Sequence, residues 1–144
     1  MSLLRSAKIN VDSNNFYGAT QVGVRVDYTS KLTFNNNFIG AVKIKNDLDI
    51  SSCMTVGSFT NTPSTLTGLV MTNNIAGGCV TYGFNAPGHE CGKSKTQTTF
   101  RNNVAHSVGG GDNGIGAAIY PNESVNPKAA TCYEASHFTA YKCV

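Results

Sequence analysis

The sequence is poor in charge, in aromatic residues and in long apolar runs, and each shortage excludes a class of protein. Charged residues make up 13% of the 144 positions and aromatic residues 9%, with no tryptophan. No apolar run reaches the length of a membrane-spanning helix. No window carries the i, i+3, i+4, i+7 spacing of an amphipathic helix over three turns, and abundant Asn, Thr and Gly disfavour helix interiors. The composition therefore predicts an all-β protein, and the length suits a single domain over residues 1–144.

The net charge of +3 is small and spread along the chain, which argues against a nucleic-acid-binding protein. Lys43 and Lys45 form one local pair and Lys93 and Lys95 another, but neither pair is interleaved with aromatic residues. Such pairs are typical of solvated strands or loops. We therefore expect no nucleic-acid partner. We also expect no cofactor, because no Gly-rich phosphate loop opens a helix.

The cysteines indicate an oxidising compartment. They are Cys53, Cys79, Cys91, Cys132 and Cys143. Their spacing fits no zinc motif, so we expect no metal site and interpret them as disulfide formers, with one left over because the number is odd. The sequon at Asn122 agrees with an extracellular glycoprotein. The alternative is a set of free thiols in a reducing compartment. That alternative stays open because the start, "MSLLRSAKIN", has no apolar core of signal-peptide length. We expect the chain to be a piece of a longer secreted protein.

What the sequence has in excess is a paired asparagine followed by an apolar residue. The pair occurs in "DSNNFYGA", "FNNNFIGA", "MTNNIAGG" and "TTFRNNVAHS". The second asparagines stand at positions 15, 37, 74 and 103, so the steps are 22, 37 and 29 residues. A degenerate fifth copy is "EASHFTAYKC", with His137 in the asparagine position. Steps of this size are typical of solenoid repeats, whereas the turns of a β-sandwich recur about every 8–12 residues.

These repeats predict a right-handed parallel β-helix, a solenoid of about five coils. A corner between two strands often needs a positive φ, which Asn tolerates, and stacked asparagine amides can hydrogen-bond along the axis. The predicted structural turn residues at equivalent corners are Asn15, Asn37, Asn74 and Asn103. The first copy, "INVDS", is out of phase by one residue. The predicted interior stack consists of the apolar residues after each pair, which are Phe16, Phe38, Ile75, Val104 and Phe138.

Three longer segments resemble a known family. The runs "NNIAGGCVTYGFNAPGHECG", "TTFRNNVAHSVGG" and "CYEASHFTAYKCV" are similar to the parallel β-helix region of fibrocystin-like proteins, within roughly residues 69–144. These are large receptor-like cell-surface proteins, so the resemblance implies coil architecture, an extracellular setting and a parent protein that is membrane-anchored. It does not carry receptor function to this chain.

The resemblance also points to a disulfide between Cys91 and Cys132. Both cysteines stand in the run-up to successive corners, and stacked coils place such positions about 5 Å apart, which suits a disulfide. Cys79 and Cys143 are a weaker possible pair, and Cys53 is then the odd cysteine.

Two classes of function remain open from the sequence. The first is a non-catalytic structural and interaction segment of an extracellular protein, whose partner is a protein or a glycan. The second is a carbohydrate-active enzyme, because β-helices often carry polysaccharide lyases and hydrolases. Asp47 and Asp49 are the candidate carboxylates for calcium binding or cleavage, although two carboxylates at that spacing more often belong to a solvated strand.

Overall fold

The protein is all-β over the residues that its structure, a computed structural model, describes. These are residues 1–4, 7–27, 30–44, 51–56, 69–87, 89–90, 99–109, 114–120, 133–134 and 136–144. The strands are β1 (Ser2–Leu4), β2 (Ala7–Asp12), β3 (Asn15–Tyr17), β4 (Val22–Asp27), β5 (Ser30–Asn35), β6 (Phe38–Val42), β7 (Ser52–Val56), β8 (Val70–Thr72), β9 (Ile75–Cys79), β10 (Tyr82–Pro87), β11 (His89–Glu90), β12 (Thr99–Arg101), β13 (Val104–His106), β14 (Ile115–Tyr120), β15 (Tyr133–Glu134) and β16 (Thr139–Tyr141). The prediction of an all-β chain is confirmed. Among the same residues, no helix has the length and hydropathy needed to cross a membrane.

All but two of the strands belong to three parallel sheets. Sheet A has the order β1-β4-β7-β10-β14, sheet B the order β2-β5-β8-β12, and sheet C the order β3-β6-β9-β13-β16. Every pairing within these sheets is parallel. The remaining two strands, β11 and β15, pair with each other in antiparallel fashion. Parallel neighbours cannot be joined by a tight hairpin, which explains why short turn signals do not recur along the sequence.

The chain visits the three sheets in rotation. One pass runs through a strand of sheet A, a strand of sheet B and a strand of sheet C, and the next pass begins again in sheet A. The structure describes five such passes. In the fifth, a single bridge from Ser136 to Arg101 takes the place of the strand in sheet B. Each strand of these sheets is therefore hydrogen-bonded to the equivalent strand of the neighbouring pass, about 4.8 Å away.

Columns of apolar side chains fill the space between the sheets. The inner column of sheet B is the largest in volume and consists of Val11, Phe34, Met71 and Phe100. The facing column of sheet A consists of Val24, Met54 and Phe84. The inner column of sheet C is smaller and consists of Ile39, Ala76 and Ala105. Burying one large side chain of this kind stabilises the fold by about 1.5–3 kcal/mol, so these columns supply the main drive for stacking.

The corner after sheet C repeats the same backbone conformation in every pass. Positive φ occurs at five consecutive equivalent positions, which are Gly18, Ala41, Gly78, Ser107 and Lys142. Glycine adopts this conformation without strain, while the other residue types are held in it by the hydrogen bonds of the corner. For example, the amide of Ser107 donates to the carbonyl of Tyr141 over 3.2 Å.

Candidate functional site

The two asparagines of each pair have different tasks at the corner between sheet B and sheet C. The first adopts the left-handed conformation, with φ values of 54° at Asn36, 58° at Asn73 and 55° at Asn102. The second, which is buried in each of these passes, turns its side chain inward and faces its equivalents in the neighbouring passes. A pair is needed because no single residue can supply both the left-handed turn and the buried amide.

The buried asparagines form a continuous amide ladder. The Oδ1 atom of Asn74 accepts from the backbone N–H of Asn37 over 3.0 Å and from its Nδ2 over 3.2 Å. Asn103 accepts in the same way from Asn74, over 2.9 Å and 3.0 Å. Each Nδ2 also donates to the carbonyl three residues before the ladder position of the preceding pass, as Asn74 does to Phe34 over 2.9 Å. The ladder thus satisfies buried backbone groups that would otherwise lack partners.

At the first corner, the residue in the amide ladder lies one position before the residue that the sequence predicted. Asn14, not Asn15, donates its backbone N–H to Oδ1 of Asn37 over 2.9 Å. The left-handed position of this pass belongs to Ser13, with φ of 56°. Asn15 instead opens β3, where it pairs with Phe38 and lies exposed on the surface. The out-of-phase start of the first copy reflects this substitution of Ser13 for the first asparagine.

The last rung is aromatic. His137 has φ of 51°, so it takes the place of the first asparagine of a pair, and Phe138 takes the ladder position. The ring centroid of Phe138 lies 5.8 Å from that of Phe100 and 6.3 Å from that of Phe84. Phe84 and Phe100 themselves meet edge to face at 5.5 Å. The amide ladder therefore ends on a cluster of three rings, which covers the inner columns at this end of the stack.

The cysteine pairing also differs from the prediction. Cys53 is bonded to Cys79, with a Cα–Cα separation of 5.6 Å, and joins β7 of sheet A to β9 of sheet C within one pass. Cys143 is free. Both the assignment of Cys53 as the odd cysteine and the pairing of Cys79 with Cys143 are therefore wrong. Cys143 is level with Val108, and Val108 with Cys79, so the two cysteines are two passes apart. Two strand spacings, about 9.6 Å, exceed the reach of a disulfide.

Several predicted site residues lie outside the described residues. They are Cys91, Cys132, Asn122, Asp47 and Asp49. The described neighbours of the first two are nonetheless informative, because Glu90 pairs with Tyr133 and His89 with Glu134. The backbone brings the chain just before Cys91 beside the chain just after Cys132. The predicted bond between them stays a prediction.

The outer face of sheet C carries the large apolar residues that the sequence placed inside. Its first column, in register across all five strands, consists of Asn15, Phe38, Ile75, Val104 and Thr139. Ile75 is 40% exposed, while the adjacent Ala76 is fully buried. Phe16 does point inward, where it stacks on Phe34 at 6.0 Å. The predicted interior stack is wrong for Phe38, Ile75 and Val104, which face outward while the residue after each of them faces the core; Phe16 and Phe138 pack against the core.

The second outer column places aromatic rings over glycines. It consists of Tyr17, Gly40, Gly77, His106 and Tyr141. A Cβ on Gly77 would lie 2.6 Å from the ring of His106, and one on Gly40 would lie 2.6 Å from the ring of Phe38. Both rings therefore cover a glycine of the sheet. His106 is also stacked on Tyr141, with 5.3 Å between centroids and 15° between planes. Covering sheet glycines with aromatic rings compensates for the packing that glycine lacks.

Together the two columns form a surface that we call the outer strip of sheet C. Tyr17 is 77% exposed and Tyr141 is 48% exposed, and they mark its two ends, four strand spacings or about 19 Å apart. None of the residues in the two columns is an acid, a lysine or an arginine. The exposed cations Arg101, Lys43 and Lys142 lie beyond the ends of its strands. Contiguous exposed apolar surface of this kind usually marks an interaction site.

The described residues offer no metal centre, since no three His, Cys, Asp or Glu side chains among them come together. The two aspartates whose side chains are described lie in different sheets. Asp27 in sheet A is paired with Arg25 over 3.2 Å, and Asp12 in sheet B accepts from Asn35 over 2.7 Å and from Ser13 over 3.0 Å. The outer strip is therefore the strongest candidate for a functional surface in the described part of the chain.

Comparison of the chain with known protein families, with curated proteins and with solved structures finds no match.

Proposed function

We propose that the chain is a segment of an extracellular protein and serves there as a structural and interaction module without catalytic activity. The single observation that carries this proposal is the outer strip of sheet C. It is continuous over five strands and exposes aromatic and aliphatic side chains, such as Tyr17, Ile75 and Tyr141, to solvent. Exposed apolar residues that lie side by side often mark an interaction site.

The proposal includes the architecture of a right-handed parallel β-helix with five coils. The rotation of the chain through sheets A, B and C supports it, as does the parallel pairing of each strand with its equivalent in the next pass. The right hand follows from the strong preference of parallel crossovers. Such a stack is rigid along its axis and holds its surface columns at fixed spacing, which suits a spacer or a binding platform.

The extracellular setting is supported by the buried disulfide between Cys53 and Cys79. Disulfides persist in oxidising compartments and are rare where thiols are kept reduced. The resemblance to fibrocystin-like surface proteins and the sequon at Asn122 agree with this setting. The parent protein is then a secreted or membrane-anchored surface protein, and Asn122 carries an N-linked glycan.

Polysaccharide cleavage is the alternative that the experiment must address. Glycoside cleavage requires two carboxyl groups flanking one bond, about 5–10 Å apart. The side chains of Asp12 and Asp27 belong to strands of different sheets and are engaged in hydrogen bonds or an ion pair.

The test is an assay of cleavage with two acidic polysaccharides, polygalacturonate and hyaluronan. We expect neither new reducing ends nor the ultraviolet absorbance of unsaturated uronates after prolonged incubation. Cleavage that disappears in the double variant Asp47→Asn and Asp49→Asn would contradict the proposal and establish the enzyme. Cleavage that persists in that variant at unchanged rate would require the same assay on protein from a second purification route, in order to separate an intrinsic activity from a contaminant.

A further inference from the structure

We infer that the outer strip of sheet C binds an unbranched anionic glycan that lies across the strands, along the direction in which the passes stack. This inference rests on the proposed function and names the chemical class of its partner. It draws on three features of the strip: exposed aromatic rings, an uncharged centre and cationic side chains at its borders.

The rings provide stacking surfaces for sugars. Tyr17 and Tyr141 are exposed at the two ends of the strip; Tyr141 is backed by His106, on which it is stacked, and Phe38 is held against Gly40. The face of an aromatic ring carries negative charge density, which attracts the polarised C–H bonds on the flat side of a pyranose ring as it attracts cations. Because the rings are held against the sheet, little side-chain entropy is lost when a sugar stacks on them.

The length and straightness of the strip favour a chain ligand. The strip spans about 19 Å from Tyr17 to Tyr141, with the side chains of each column repeated about every 4.8 Å. Tyr17 is the most exposed aromatic residue of the described chain, and Ile75 at the centre is 40% exposed. A compact small molecule would contact only part of this surface, while a linear polymer contacts its whole length.

The charged residues at the border of the strip favour an anionic glycan as the ligand. Lys142 follows Tyr141 directly, Arg101 ends the strand that precedes the corner of the fourth pass, and Lys43 follows the strand of Phe38. All three side chains are exposed. Asp12 holds, in the first pass, the position that Arg101 holds in the fourth, and its carboxylate accepts hydrogen bonds from Asn35 and Ser13. Carboxylate or sulfate groups on a polymer that is stacked on the rings would therefore meet cations at the border.

The test measures the affinity of a size-defined heparin oligosaccharide by calorimetry, with polygalacturonate and neutral dextran of similar length for comparison. We expect binding of the two anionic chains, weakening as salt rises because exposed charges are screened. We expect at most weak binding of dextran. Preference for heparin or for polygalacturonate tells whether sulfate or carboxylate is the better group, and either preference supports the inference.

Matched variants locate the site. Ile75→Ser removes the centre of the strip, while Ile115→Ser removes an isoleucine of almost equal exposure, 39%, from sheet A. Lys142→Gln removes a border cation, while Lys31→Gln removes a cation from sheet B that is also exposed and has nearly the same positive φ. We expect Ile75→Ser to weaken heparin binding at least roughly fivefold and Lys142→Gln roughly threefold. The two control variants should stay within about twofold of wild type.

Four results would overturn the inference. They are the absence of heparin binding, equal weakening by the test and control variants, tighter binding of single-stranded poly(U) than of heparin, and self-association of the protein that Ile75→Ser abolishes. The last result would assign the strip to a second copy of the chain. None of these results bears on cleavage. The proposed function therefore survives them, and it fails only if polysaccharide is degraded.

Discussion

The asparagines of the amide ladder differ in burial, so replacing them should lower the free energy of unfolding by different amounts. Asn74 is fully buried, and its side chain accepts two hydrogen bonds from Asn37 and donates one each to Asn103 and to the carbonyl of Phe34. Replacing Asn74 by Ala leaves the N–H of Asn37 and the carbonyl of Phe34 buried without these partners. At about 1–2 kcal/mol for each orphaned backbone group, Asn74→Ala should lower the free energy of unfolding by about 3 kcal/mol. For a chain of this length that corresponds to a fall in Tm of roughly 10 °C.

The outermost rung is the matched control. Asn14 occupies the equivalent position but is exposed, so water can replace its bonds to the carbonyl of Asp12 and to Asn37. Asn14→Ala should therefore cost about 0.5 kcal/mol. Urea unfolding followed by circular dichroism at the β-sheet band measures both variants. The ladder would lose its assigned role if the two variants unfolded at the same urea concentration, or if Asn74→Ala were indistinguishable from wild type.

Three further predictions concern the ends and cross-links of the stack. Replacing both Cys53 and Cys79 by Ala opens a loop of 26 residues and should destabilise the fold by about 3–4 kcal/mol, measured by urea unfolding; a loss below about 1 kcal/mol would contradict it. Non-reducing mass spectrometry should find peptides of Cys91 and Cys132 linked, and alkylation of both thiols in the native protein would exclude that bond. Phe138→Ala should lower stability by about 1–2 kcal/mol in a thermal melt, since the half-buried ring packs on two others. An unchanged Tm would show that the ring cluster does not cap the stack.

The sequence predicts the sheets better than it predicts which way the side chains face. The asparagine pairs mark real corners, and their long steps exclude hairpins. Ile75 and Val104, which follow asparagine pairs, are larger and more apolar than the alanines that come next, Ala76 and Ala105. A prediction based on hydrophobicity therefore assigns the wrong column of residues to the core. If the register of a strand is predicted with an error of one residue, every side chain is assigned to the wrong face. A strand of three residues is too short for its hydrophobic pattern to reveal such an error.

The small core residues of sheet C have a physical reason that the sequence alone does not reveal. The side chain of Ala105 packs against Gly83 and Gly116 of sheet A, where an added Cβ would lie 2.8 Å and 3.5 Å from the Cβ of Ala105, so sheets A and C approach too closely here for a larger residue. Only the assembled columns show that small residues fit at this position. The same argument applies to Gly77, whose exposed side is covered by His106. The signal that was available is the repeated pairing of a bulky residue with Ala or Gly two positions later, as in "NNFYGA", "NNNFIGA" and "NNIAGG".

The corners of the first and last passes could not be predicted from the sequence for a different reason. At the first corner Ser13 replaces the first asparagine, and at the last corner His137 and Phe138 replace both members of the pair. A terminal pass has only one neighbouring pass, so its corner residues do not have to continue the amide ladder on both sides, as those of the inner passes do. The cysteine pairing was likewise not readable from spacing, because the number of residues between two cysteines does not give the number of passes between them. Cys79 and Cys143 are separated by two passes, whereas Cys53 and Cys79 share one.

Binding of a glycan along the outer strip of sheet C can be located by titrating the isotopically labelled protein with the heparin oligosaccharide and following the amide chemical shifts. We expect the largest shifts at Tyr17, Ile75, Val104 and Tyr141 on sheet C, with little change at Thr33 on sheet B or Ile115 on sheet A. Shifts concentrated on sheet A or sheet B, or spread evenly over the exposed lysines, would contradict it.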